Sequence, residues 1–269
     1  GFLAAKIGNC VCTLVLSLFF GFQTQTNKRG IQDYIEQALS VLLKHITKIK
    51  GASRTDSGVH ALGQIATFET NVTFNLDLFL ASLNALLPRH IGIKNIIEVQ
   101  SDFDPIYHAK AKLYRYCLWR GKCFNPFLDP YVWNVRRSLD TDCIRESLQI
   151  IVGRHDFSSF CNSDSGAKTR VRSIIEAKLI ESGDKIEIWF LGEGFLKQMV
   201  RILVGTLVDL AIKKKLSSHL EKILKAKSRH LSGQTAPARG LSLIEVYYET
   251  VPAIDDVVLK MKNRSFFLF

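Results

Sequence analysis

The chain is short of the residues that would staple it, coordinate a metal or leave it disordered. Six cysteines stand at positions 10, 12, 117, 123, 143 and 161 of 269 residues. None forms a Cys-x-x-Cys pair and no His-x-x-x-His run accompanies them, so zinc-site spacing is missing. A chain this long needs no disulfide framework. The thiols therefore read as free groups in a reducing compartment, the cytoplasm first, with an organelle open. No low-complexity segment and no 20–50-residue repeat is present, which excludes solenoids and propellers. There is no Gly-x-x-x-x-Gly-Lys-Ser/Thr phosphate loop, no His-Glu-x-x-His helix and no Gly-x-Ser-x-Gly elbow. His108 and His155 have only a nearby aspartate for context and read as structural.

Acidic residues are also in deficit. Lys and Arg total 36 against 25 Asp and Glu, a formal net charge of +11. That excess favours a polyanionic partner, nucleic acid before an anionic membrane surface. A merely basic globular protein is the plain alternative. Long hydrophobic runs are scarce too: one stretch, Cys10 to Phe22, stands out. It is shorter than the ~20 apolar residues of a membrane span. It resembles a signal-peptide core, but no small-x-small cleavage pattern follows, and its length suits a buried strand better.

What is present is ordinary globular material, 47% hydrophobic and 23% charged. Ile31, Tyr34, Ile35, Ala38, Leu39, Leu42 and Leu43 repeat at three and four, which predicts an amphipathic helix. Helices are also expected over 76–87, stopped by Pro88, over 140–151 with Asp140 as cap, over 197–212 and over 220–227. Strands are expected over 62–69, 93–99, 111–119, 173–180, 185–191 and 241–249. Strands and helices occur in both halves without a regular crossover, so the fold class is α+β. The expected division is 1–105, 106–250 and a tail over 251–269.

Three places could carry chemistry. Ser53-Arg54-Thr55-Asp56-Ser57-Gly58-Val59-His60 puts Arg, Asp and His in one polar loop before a strand. A carboxylate beside an arginine stays ionised and can act as base or nucleophile. The alternative is an Asx-turn in which Asp56 only shapes the loop. Tyr114-Arg115-Tyr116 places two tyrosines on one strand face, able to stack on a base or to fill a core. Arg201 interrupts an apolar helix. It either needs a carboxylate partner or lies on the surface with its stem along the helix.

In order along the chain, these residues resemble the TruA family of tRNA pseudouridine synthases. Arg54-Thr55-Asp56-Ser57-Gly58-Val59-His60-Ala61 with Gln64 resembles its catalytic signature, and Tyr114-Arg115-Tyr116 its aromatic motif. His155-Asp156-Phe157-Ser158-Ser159-Phe160, Gly194-Phe195, Met199-Val200-Arg201, Val204-Gly205-Thr206-Leu207 and Thr235-Ala236-Pro237-Ala238-Arg239-Gly240-Leu241 follow in family order. Two departures stand out: the family's Tyr-Asp-Gly reads Leu14-Val15-Leu16, and its Gly-Trp-Gln reads Gly21-Phe22-Gln23. The resemblance implies two α+β halves whose mixed or antiparallel sheets join around a basic RNA-binding cleft. It implies a homodimer acting on tRNA, with no metal, no organic cofactor and no membrane. The implied reaction converts uridine to pseudouridine at positions 38, 39 and 40 of the anticodon stem-loop. Asp56 would be the nucleophile, Arg201 its ion-pair partner, Arg54 the support of the flipped nucleotide, and Tyr114 the platform for the target base. The rival reading is a catalytically idle RNA-binding or tRNA-chaperone protein on the same scaffold.

Overall fold

In chain order the elements of the computed structural model are β1 (Gly8–Leu16), α1 (Ile31–Leu43), β2 (Ile49–Gly51), β3 (His60–Thr70), α2 (Leu76–Leu86), β4 (Ile91–Val99), β5 (Ala111–Trp119), β6 (Trp133–Asn134), α3 (Thr141–Ile151), β7 (Gly153–Asp156), β8 (Val171–Ser182), β9 (Lys185–Gly192), α4 (Met199–Ile212), α5 (Ser218–Ala226), β10 (Leu241–Tyr247) and α6 (Ile254–Asn263). The structure describes residues 8–16, 21–23, 30–162 and 166–263. The chain divides into two compact units. One comprises residues up to Ala109 with Leu243–Tyr248; the other runs from Lys110 to Ser242 and resumes at Glu249.

In the first unit the strand order is β4-β1-β3-β10, with β2 added to β3. Strand β1 pairs antiparallel with both β3 and β4, so neither of its edges is open. A strand with partners on both sides explains why Gly8–Leu16 reads as a nearly continuous apolar run. The rest of that run, 17–20, lies outside the described residues, as do residues 27–29 of the expected turn before α1. Helix α1 spans the expected residues and buries Ile31, Ile35, Ala38, Leu39 and Leu43. Its first turn is closed by the Asp33 carboxylate, which accepts from the Gly30 N–H at 2.8 Å. Asn75 caps α2 by accepting from the Leu78 N–H at 3.0 Å.

In the second unit the order is β5-β9-β8-β7, antiparallel throughout, with the short β6 parallel to β5. Strand β5 matches its expected span and is buried on both faces from Leu113 to Leu118. Asp140 caps α3 as expected, accepting from the Cys143 N–H at 3.1 Å. Helix α4 buries nearly every side chain and forms the unit's core. It begins at Met199 rather than Lys197, because Gln198 stands at φ +61°, outside the right-handed helical region. Strand β7, a short polar segment without alternation, and α6, in the stretch after residue 250, add to the expected elements. The α+β class is confirmed.

Candidate active site

The loop between β2 and β3 is anchored from both sides. The Ala52 N–H donates to Ile65 C=O at 2.8 Å. One residue on, the fully buried Gln64 side chain acts as a surrogate strand. Its Oε1 accepts from the Ser53 N–H at 3.2 Å, and its Nε2 donates to Ser53 C=O at 2.5 Å. Upstream, Glu36 of α1 is buried and accepts from the Ile49 N–H at 3.2 Å, which fixes the start of β2.

From the other side, the loop is held by Gly21-Phe22. The Phe22 N–H donates to Thr55 C=O at 3.3 Å. Gly21 stands at φ +97°, and a Cβ there would come within 3.1 Å of the Thr55 oxygen and 3.2 Å of the Ser57 nitrogen. Gly21 C=O accepts from Ile31 N–H and Phe22 C=O from Gln32 N–H, so the same pair tethers the loop to the start of α1.

Within this frame the loop alternates. Ser53, Thr55 and Val59 are buried, Arg54 and Ser57 are exposed, and Asp56 is half-buried. The reversal itself is made by main chain: Val59 N–H donates to Asp56 C=O at 3.1 Å, and Gly58 takes φ +78°. A carboxylate half out of water on a clamped turn is placed to react with a ligand arriving at the loop. Arg54 presents its guanidinium to solvent on the same loop.

The other two candidates lie in the second unit. Tyr114 is 8% exposed and stands edge-on to Phe195, ring centroids 5.0 Å apart. Tyr116 is fully buried and its hydroxyl donates to Pro237 C=O at 2.7 Å. Burial pushes its phenol well above the usual range, opposed by the guanidiniums of Arg201 and Arg239. On the same face as both tyrosines, burial brings the Lys112 ammonium down to about 8. The reverse face carries a charged network: Glu187 accepts from the Trp189 indole and pairs with Arg115 and Lys185.

Arg201 occupies the first turn of α4 and is half-buried, between the two sequence readings. Its Nε donates to Ala236 C=O at 2.8 Å, while Arg201 C=O accepts from Ala236 N–H at 3.1 Å. The 232–237 segment can lie that close because α4 has Gly205. A Cβ there would stand 1.8 Å from the Gln234 carbonyl oxygen. Thr206 accepts from Gly233 N–H, and Asp209 accepts from the Gln234 amide, along the same helix face. The Val-Gly-Thr-Leu and Thr-Ala-Pro motifs are thus two halves of one docking contact that orients Arg201.

The His155-to-Phe160 motif is structural in the same sense. Asp156 accepts from the Ser158 N–H and hydroxyl and pairs with Lys227 at 2.9 Å. The Ser158 bond, helped by Lys227, holds its carboxyl below the ordinary range. Ser159 ties the segment to the end of α5 through Ile223 C=O and Ser228 N–H.

Sequence reasoning placed Asp56 and Arg54 on one loop, and Tyr114 and Arg201 on β5 and α4; the structure puts each on that element. It missed the roles of Gln64, Phe195, Gly205 and Ala236. The usable signal for Gln64 was an amide in the middle of an otherwise apolar strand.

The profile of a family described as tRNA pseudouridine synthase matches residues 17–108 and 148–249. A tRNA pseudouridine synthase A of Acetivibrio thermocellus is 41% identical over 230 residues, 86% of this chain and 94% of that protein. The protein of the same name from Bacillus licheniformis is 39% identical over 234 residues, 86% of this chain and 95% of its own. The profile spans the Asp56 loop and α4, and on that match together with these relatives the chain belongs to the tRNA pseudouridine synthase family.

Proposed function

We propose that this protein isomerises uridine to pseudouridine in the anticodon stem-loop of tRNA, at positions 38, 39 and 40, with Asp56 as the nucleophile. The observation that carries the reading is the Asp56 turn. It is closed by main chain, clamped by Gln64 and Gly21-Phe22, and holds the Asp56 carboxylate half-buried between exposed Arg54 and Ser57. The reaction breaks the N1–C1′ bond, forms C5–C1′ and moves one proton from C5 to N1. No electrons are exchanged, so an acid–base and nucleophilic apparatus suffices.

The target uridine must leave its stack, at a cost of a few kcal/mol. Arg54, exposed on the catalytic loop, holds the displaced nucleotide's phosphate or fills the space it vacates. Tyr114 receives the base. Its ring is almost fully covered, so the base meets it as the wall of a pocket. Arg201 pairs with Asp56 and aims it. The main-chain contact to Ala236 supports this role by fixing its side chain. A homodimer and a cytoplasmic setting belong to the same proposal. The free thiols of Cys117, Cys123, Cys143 and Cys161 suit a reducing compartment, and among the described residues no helix is long and apolar enough to cross a membrane.

The test is incubation with unmodified tRNA, followed by mapping of pseudouridine at nucleotide resolution. The parent should modify the anticodon arm. Asp56→Asn should form none while binding the same tRNA within a few-fold. Near-normal turnover by Asp56→Asn would remove Asp56 from the chemistry. Binding without turnover by the parent would favour the idle RNA-binding reading.

A further inference from the structure

Arg172 begins β8 with donors to spare. Its Nη1 donates to two main-chain carbonyls of its own segment, Thr169 at 2.9 Å and Val171 at 2.6 Å. Among the described residues no carboxylate lies within ion-pair distance of it, and its Nε and Nη2 protons have no acceptor. The side chain is nonetheless half-buried, and that burial lowers its pKa. A guanidinium drawn partly out of water is costly unless something anionic meets it. Lys168 and Arg170 precede it in the chain. Asp156, opposite its neighbour Val171, pairs instead with Lys227 at 2.9 Å, and Asp164 lies outside the described residues. Exposed Glu193 is the acidic neighbour across the strand end, and it forms no ion pair with Arg172.

The register says where this guanidinium stands. Gly192 at the end of β9 is opposite Lys112 on β5 and Ile174 on β8, and Phe190 is opposite Tyr114. Residues directly opposed, and residues two apart on one strand, share a face. Arg172, Lys112 and Tyr114 therefore lie on one face of this unit's sheet, on strands that flank β9. Those flanking strands are about 10 Å apart. The turn that follows β9 bridges them. A Cβ at Gly194 would stand 3.8 Å from Arg172 Cδ and Nε, and the next residue, Phe195, packs its ring against Tyr114. Gly192 lets the turn fold down, since a Cβ there would meet Ser173 C=O at 2.8 Å.

We propose that Arg172 binds a backbone phosphate of the RNA, at a nucleotide next to the uridine that Tyr114 receives. The fork of Nε and Nη2 suits two phosphate oxygens at once. The glycine at 194 keeps the approach to that fork open. The inference rests on the reading of Tyr114 as the wall that takes the base, and it adds the residue that sets the register of the strand carrying that base.

The experiment uses the full chain and anticodon stem-loop RNAs, each carrying one methylphosphonate in place of a phosphate. Arg172→Gln should weaken binding of the unsubstituted RNA about tenfold and flatten the slope of log K against log salt by about one. One methylphosphonate position should weaken the parent by a similar factor and leave Arg172→Gln unaffected. Should the glutamine variant fail to fold, Arg172→Lys serves: it should keep the parent's salt slope, bind a few-fold more weakly, and lose that difference at the same methylphosphonate. Equal affinity and slope in parent and variant, or a methylphosphonate scan with no position that distinguishes them, would overturn the assignment. If the parent forms no pseudouridine, the reading of the whole site fails. If it does and Arg172→Gln binds as well as the parent, the Arg172 assignment alone fails.

Discussion

Lys112 shows how much one side chain can report about this face of the sheet. Its ammonium is brought down from 10.5 to about 8 by burial. Below pH 8 it is charged in both folded and unfolded chains, and the folded chain bears the whole desolvation cost, at most about 3 kcal/mol. As pH rises from about 8 to 10.5 the folded chain sheds its proton first and that cost is relieved. Lys112→Met should therefore be more stable than the parent below pH 8, and the gap should close between pH 8 and 10.5. Urea denaturation at several pH values measures it; a gap independent of pH would mean that Lys112 is well solvated. The Asp56 loop was legible at this scale because Arg54, Asp56 and Gly58 each belong in a polar loop for a reason of chemistry or backbone. The burial of Tyr114 was not legible, since an aromatic strand face reads alike whether it meets a base or a core.

At the scale of the element, helix α4 carries Arg201 and also the glycine that lets 232–237 dock beside it. A methyl group at 205 would collide with a main-chain carbonyl, which cannot swing aside as a side chain can. Gly205→Ala should cost about 1–3 kcal/mol of stability. It should also lower turnover, because the displaced segment holds the Arg201 guanidinium. Denaturation midpoints and initial rates on tRNA check the two effects separately; unchanged values in both would show that the segment relaxes freely. Helices with strong periodicity, such as α1, or with a capping residue, such as α3, could be bounded from sequence to within a residue. The start of α4 could not, because the left-handed turn at Gln198 is imposed by packing and by the Asn162 side chain that bonds to it at 2.7 Å. Strand β7 escaped for a similar reason: its pairing with β8, not its own pattern, makes it a strand.

Over the whole molecule, the charge of +11 sets how it meets a polyanion. Lys213, Lys214 and Lys215 end α4 as an exposed basic corner, and Lys222, Lys225 and Lys227 add to the same sign nearby in the chain. Affinity for tRNA should fall log-linearly with salt, and replacing the three lysines at 213–215 by glutamine should flatten the slope by about two to three. Filter binding between low and moderate salt reads both, and a flat profile would assign these lysines to a merely solvated helix end. The α+β class and the order of motifs were legible at this scale because each follows from local pattern. The chain's exchange between units at Ser242 and Glu249 was not, since nothing in the composition of β10 marks it as belonging to the first unit.

That exchange bears on how the protein is made. The first unit draws its last strand residues, Leu243–Tyr248, from near the end of the chain. A ribosome adding about 5–20 residues per second reaches residue 248 roughly 7–28 seconds after it has passed Ala109. Through that interval the edge of β3 opposite β1 is covered only by the short β2 at residues 66–68, and the rest is a site where a second nascent chain or a chaperone could add a strand. The half that carries Asp56 is begun first, yet it closes only after most of the other half has been made.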